Sequence, residues 1–301
     1  MRITHTMLSS RLLMDLRRQD NAIAEAQRQV ATGRRVDRPS DDPAAAHAAI
    51  RQRGEIAGLQ RYQQGAAEAA DWTQATDTAL GGLADVLHRA RELALQGANG
   101  SLSAANRENI AAEIDQLVQS AKDRANVKVG DQYLMSGTAT STAPYATGSD
   151  AYAGDTGLVL REIGPGVTVQ VSTLGSAILG SGQGAADAKL LDTLRTVADH
   201  LRGGTAADLQ ALRTTDLQNL EANLDTISQA RATNGATAAR LESAQNRLAD
   251  LELAGSVRLS RLEDADMAEA MLELSTRQSA YQAALRSGAT VIQQSLMDFL
   301  R

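Results

Sequence analysis

The chain of 301 residues has no cysteine, one Trp, one Phe and only 2% aromatic residues. Without thiols there are no disulfides, no thiolate zinc site and no cysteine nucleophile. A thick core with deep ligand pockets usually draws on large aromatic rings. Here the 43% apolar content is carried mainly by Ala, Leu, Val and Ile, which suits thin, closely packed helices. A basic face for phosphate is also lacking, since the net charge is -6 and the isoelectric point is near 5.3. Arg17-Arg18 and Arg34-Arg35 lie among acids or beside a turn and read as solvated. No stretch approaches the roughly 20 apolar residues of a membrane span. Arg11, Asp15 and Arg17 interrupt the segment where a signal-peptide core would lie. On these rules alone a cytoplasmic address is expected.

What the chain does have is a helical pattern at each end. One runs from about Met7 to Val30, with Leu12, Leu16, Ile23, Ala26 and Val30 on its apolar stripe. The other carries Met271, Leu274, Tyr281, Leu285, Ile292 and Phe299 and continues to Arg301 with no polar tail in the sequence. Three-then-four spacing is the repeat of a helix that buries a narrow seam against another helix. Isolated helices are marginal in water, so the order of such ends depends on a partner that covers their seams.

Between the ends, the punctuation is local. Gly33 supplies a left-handed residue just past a helix ending near Thr32. Asp42 is a good N-cap and Pro43 a good first helical residue, so a helix begins at Pro43. A long pattern follows to Gln96, with Leu80, Leu83, Leu87, Ala90 and Ala94 on one stripe. Gly97 to Gly100 breaks it, Ser103 caps the next start, and Ile110, Ile114, Leu117 and Ala121 carry a third helix toward Gly130. From Ser136 to Gly157 the helical period is lost. Leu158–Ile163 and Val167–Val171 then flank Gly164-Pro165-Gly166 and read as a β-hairpin.

After Ala186 the helical signal returns. Leu217, Leu220, Leu224, Ile227, Leu241, Leu248 and Leu251 hold a seam that Arg231 and Asn234 interrupt at inward positions, and Gly255 marks a weak point before the terminal helix. The expected fold is mainly α, an elongated antiparallel helical rod with N- and C-terminal helices paired and a small central β-containing insertion. Its segments are 1–45 (N-terminal helix and turn), 46–137 (rod), 138–186 (small β-containing domain), 187–256 (rod) and 257–301 (C-terminal helix).

Catalytic, cofactor and metal sites are not expected. His5, His47, His88 and His200 are far apart, and none has the spacing of a helical metal pair. Asp41 and Asp42 serve a helix start more naturally than acid–base work. The glycines fit no phosphate loop. Met267 and Met271, four apart on an Ala-rich stretch, read as core ahead of a partner contact. A helical signalling rod is a rival class, but the glycine break at 97–100 and the Ser/Thr-rich centre count against it.

Several segments in order resemble bacterial flagellin and its relatives that join hook to filament. The strongest is Ala31-Thr32-Gly33-Arg34-Arg35-Val36-Asp37-Arg38-Pro39-Ser40-Asp41-Asp42-Pro43-Ala44. Others are Met1-Arg2-Ile3-Thr4, Gly97 to Asn109, Asp131-Gln132-Tyr133-Leu134-Met135-Ser136-Gly137, and the close Ser295-Leu296-Met297-Asp298-Phe299-Leu300. The Met-Arg-Ile opening, Pro39, the Tyr-Leu-Met-Ser-Gly text and the Ser-Leu-Met-Asp-Phe-Leu close resemble the junction branch more than flagellin itself.

The resemblance implies a structural role, with export through the flagellar channel without a cleaved signal peptide and an extracellular address on the flagellum. It implies as partners the first hook-associated protein, flagellin, copies of the same chain in a junction ring, and an export chaperone on the C-terminal helix. The expected assembly interface is Leu12, Leu16, Ile23, Val30, Met271, Leu274, Tyr281, Leu285, Ile292 and Phe299. The family turn is Gly33, Pro39, Ser40, Asp41, Asp42 and Pro43.

Overall fold

A computed structural model describes residues 5–182 and 184–299. In chain order the elements are α1 (His5–Thr32), α2 (Pro43–Gly97), α3 (Ala104–Ala125), β1 (Lys128–Val129), β2 (Gln132–Tyr133), β3 (Leu160–Gly164) and β4 (Val167–Gln170). Then follow α4 (Gly175–Ile178), α5 (Leu190–Gly203), α6 (Ala206–Arg213), α7 (Thr215–Glu263) and α8 (Met267–Phe299). The fold is mainly helical, and among the described residues two small antiparallel hairpins form, β1–β2 just before the central insertion and β3–β4 within it. The chain divides into two compact units, one of Met1–Gly58 with Leu251–Arg301 and one of Leu59–Asp250.

In the unit of residues 59–250 the predicted stripe of α2 is the core. Leu80, Leu83, Leu87, Ala90 and Ala94 are fully buried, in one cluster with Ile110, Ile114 and Ala121 of α3 and Leu194, Val197 and Leu201 of α5. The alanines at 90 and 94 lose no side-chain entropy and let helices approach closely, while each buried leucine contributes roughly 1.5–3 kcal/mol. Ser103 caps α3 by accepting from the Asn106 N–H at 3.2 Å. Thr205 and Asp208 form a reciprocal capping box on α6.

The hairpin falls where the alternation placed it, with Arg161 opposite Val169 and Glu162 opposite Thr168. The insertion is tied to the helices by charge. Asp150 accepts from Lys122 Nζ at 3.1 Å and from Arg195 Nε at 2.9 Å, and Arg195 Nη1 also reaches Asp115 at 2.7 Å. Burial pushes the Asp150 carboxyl up, but the bonds from Arg195 and Lys122 outweigh it and hold the group below its ordinary value. The Tyr145 ring is fully buried and its hydroxyl donates to the Gly180 carbonyl at 2.7 Å.

Four expectations need correction. The helical signal read after Ala186 does not continue as one helix into this seam, because it is interrupted at Thr214, whose backbone leaves the helical region (φ -125°, ψ -84°). Arg231 does not point inward. The stripe passes through half-buried Ala230 instead, and Arg231 sits at its edge with Nε 3.0 Å from Asp77 Oδ1. Asn234 does point inward, and donates to the Thr73 carbonyl at 2.7 Å. Leu251 is exposed.

The fourth concerns Gly255, which lies inside α7 rather than at a break. A Cβ there would lie 3.1 Å from Ile56 Cγ1 and 3.1 Å from Gln52 Nε2. This glycine is used for close approach of α2 and α7. The interruption before the last helix falls at residues 264–266.

Candidate assembly interface

In the unit that holds both ends, α1 and α8 pack against each other as an antiparallel pair. A Cβ on Gly288 would lie 2.6 Å from Leu12 Cδ2, and at the other end Arg34 and Asp264 form an antiparallel bridge. The covered stripe of α1 is Leu12, Leu16, Gln19, Ile23, Ala26 and Val30, and that of α8 is Ala270, Leu274, Arg277, Tyr281, Ala284 and Gly288. Both alternate four and three, the repeat of a two-stranded coil. The predicted seams are therefore covered by each other within one chain.

The pattern read from the sequence mixes two faces of α8. Leu274 and Tyr281 lie in the seam, whereas Met271 and Leu285 are 55% and 45% exposed. All four are apolar, so a stripe drawn through them looked like one seam. Met7, Leu13 and Met14 of α1 and Leu272 of α8 are also exposed, Leu272 at 70%. The side chains of Ile292 and Phe299 lie outside the described residues.

The seam also contains residues the sequence reading missed. Gln19 Oε1 is buried with no hydrogen-bond partner, and Gln19 and Arg277 line the same small groove. Counting four and three from Leu12 would have found Gln19. A polar layer in such a coil fixes register at some cost in stability.

The turn between α1 and α2 is built from backbone groups. Gly33 adopts φ +69°, and its N–H donates to the Gln29 carbonyl at 2.8 Å. The chain then lies along the α7–α8 junction. The N–H groups of Arg35 and Val36 donate to the Glu263 carbonyl at 2.6 and 3.2 Å, and the Ala265 N–H donates to the Gly33 carbonyl at 2.9 Å. The Glu263 side chain is 6% exposed and receives Arg53 Nη2 at 2.6 Å.

Asp41 and Asp42 divide the work. Asp41 accepts from the N–H groups of Arg38 at 2.8 Å and Asp37 at 3.2 Å, and the Arg38 bond lowers its carboxyl below the ordinary value. Asp42 caps α2, accepting from Ala44 and Ala45 at 3.0 and 2.9 Å. Asp266 does the same for α8, accepting from Ala268 and Glu269 at 2.9 and 3.2 Å. Pro39 and Ser40 are exposed. His200 lies far along the chain from this turn, its Nδ1 2.7 Å from buried Asp216. Among the described residues no group of His, Asp and Glu has the arrangement to hold a metal ion, and no helix is long and apolar enough to cross a membrane.

The described residues thus give a mainly helical protein whose first and last helices pair, with a β-containing segment between them in sequence. The bacterial flagellin N-terminal helical region matches residues 3–140 and the bacterial flagellin C-terminal helical region matches residues 217–300, so the chain belongs to the flagellin family. The flagellin of Listeria monocytogenes is 28% identical over 280 residues, spanning 91% of this chain and 90% of its own. Flagellar hook-associated protein 3 of Salmonella typhimurium is 24% identical over 289 residues, spanning 91% of each.

Among solved structures, a putative flagellar hook-associated protein from Vibrio parahaemolyticus superposes with a TM-score of 0.67 at 21% identity. It covers 74% of this chain and 100% of its own. FlgL of Bacillus cereus gives 0.58 at 22% identity, covering 70% and 99%. The chain is thus a structural component of the extracellular bacterial flagellum that assembles with other flagellar proteins, not an enzyme.

Proposed function

We propose that this chain is the subunit joining hook to filament, and that it assembles through the outward faces of α1 and α8. The observation that supports this most is the exposure of Met271, Leu272 and Leu285 on a helix pair whose seam is already closed. A single helix pair cannot cover that face, and removing an apolar side chain from water contributes roughly 25 cal/mol per Å². The occupants are the terminal helices of neighbouring subunits: copies of the same chain in a ring, the first hook-associated protein on one side and flagellin on the other. Before assembly the same face of α8 suits an export chaperone. Export proceeds through the flagellar channel without a cleaved signal peptide.

The choice of junction over filament rests on Met1-Arg2-Ile3, Pro39, Tyr133-Leu134-Met135-Ser136-Gly137 and Ser295-Leu296-Met297-Asp298-Phe299-Leu300. Flagellin is the second reading, favoured by the 28% identity to the Listeria protein. Immunogold labelling of intact cells separates them. A band at the hook–filament boundary supports the junction subunit, label along the filament identifies flagellin, and internal label defeats both. A chain lacking 285–301 is expected to stay folded in its 59–250 unit and to be lost from the flagellum. Normal filament attachment by that truncated chain would overturn the assembly role of α8.

A further inference from the structure

We propose that Asn99 is a site of self-catalysed deamidation, promoted by the Ser101 amide and hydroxyl. The chain contains two Asn-Gly pairs, Asn99-Gly100 and Asn234-Gly235, and the structure treats them oppositely. Asn99 and Gly100 are exposed in the connection between α2 and α3, outside either helix. Gly100 has no side chain to hinder its nitrogen, and even a Cβ there would meet only Arg213 Nη2, at 3.7 Å.

Asn99 Oδ1 accepts from the Ser101 N–H at 3.2 Å and from the Ser101 hydroxyl at 2.9 Å. That oxygen is where negative charge develops when the Gly100 nitrogen attacks the Asn99 side-chain carbonyl. Two donors already aimed at it act as an oxyanion site.

The step balances with hydroxide and water as the only co-reactants. Hydroxide takes the Gly100 amide proton, the nitrogen forms a bond to Asn99 Cγ, and the Cγ–Nδ2 bond breaks as Nδ2 takes a proton from water and leaves as ammonia, which regenerates the hydroxide. The resulting succinimide is opened by water at either carbonyl, giving aspartate or isoaspartate. No oxidation occurs.

Asn234 is the internal contrast. It lies in the middle of α7, 7% exposed, with Nδ2 donating to the Thr73 carbonyl at 2.7 Å. Helical backbone holds the Gly235 nitrogen in its ladder, away from the side-chain carbon. The products at residue 99 carry a new carboxylate in a turn closed by the Leu102 N–H donating to the Asn99 carbonyl at 3.2 Å. Isoaspartate also lengthens that turn's backbone. Arg213 is nearby, its Nε and Nη2 donating to the Ala98 carbonyl at 3.0 and 2.7 Å, and supplies a cation beside the added charge.

The test uses the purified full-length chain, aged in mildly alkaline buffer, with peptide mass spectrometry that separates aspartate from isoaspartate. Residue 99 is expected to convert while residue 234 of the same molecules does not, and denaturant is expected to bring the two rates together. Ser101→Ala is expected to slow conversion about 2- to 10-fold, the effect of one solvent-exposed hydrogen bond, with Gly100→Ala slowing it further. Equal rates at the two sites in the folded chain, or an unchanged rate in Ser101→Ala, would overturn the proposal.

Discussion

Arg53 Nη2 lies 2.6 Å from Glu263 Oε2, joining the third turn of α2 to the last residue of α7. The Glu263 backbone carbonyl holds the turn after α1 at the same point, so one residue fastens three segments. Arg34 is also present, but at 4.0 Å. Arg53→Ala therefore leaves a buried carboxylate with a weak partner. Because Arg53 itself is about half exposed, the expected loss is about 1–2 kcal/mol rather than that of a fully buried pair. Urea unfolding of Arg53→Ala, Glu263→Ala and the double variant measures it, with the double costing less than the sum.

Gly255 distinguishes two roles that a helical glycine can have. If it only weakened α7, a larger residue would stabilise the helix by up to about 1 kcal/mol. Because Ile56 and Gln52 close over it, Gly255→Leu is expected to cost about 1–3 kcal/mol by overpacking. The denaturation midpoint gives the sign directly.

The caps on α2 and α8 predict paired effects. Asp42→Ala and Asp266→Ala are each expected to cost about 1 kcal/mol, while asparagine at either position retains most of the stability. Thermal melts of the four single variants are sufficient.

Acid should loosen the insertion. The folded Asp150 carboxyl lies below its ordinary value of 3.8, so its contribution is present above that pH and is lost as pH falls through the lower folded value. Stability measured by urea titration is expected to drop below pH 3.8 more steeply in the parent than in Asp150→Asn. Equal slopes would show that the ion pairs with Lys122 and Arg195 carry none of the acid sensitivity.

The outward face of α8 predicts folding without assembly. Met271→Lys with Leu285→Lys leaves the seam residues Leu274 and Tyr281 untouched, so the melting temperature is expected to change little. Incorporation into the flagellum is expected to fail, read by labelling of sheared flagella. The opposite substitution, Leu274→Lys, should unfold the pair itself.

Much of this architecture was legible in the sequence because its signals are local. Asp42 reaches N–H groups two and three residues ahead, Gly33 turns its own backbone, and Ser103 bonds to Asn106, so each is fixed by neighbours in the chain. The stripe from Leu80 to Ala94 repeats often enough that one burial pattern satisfies it. Tertiary structure decided what such repeats leave open. Met271 and Leu274 are equally apolar, and only the position of α1 makes one exposed and the other covered. Gly255 reads as a break until Ile56 packs on it. Arg53 and Glu263 are 210 residues apart, and no spacing rule joins them. Residue type and period set where helices begin, end and carry apolar atoms; which face is buried depends on the helix that arrives there.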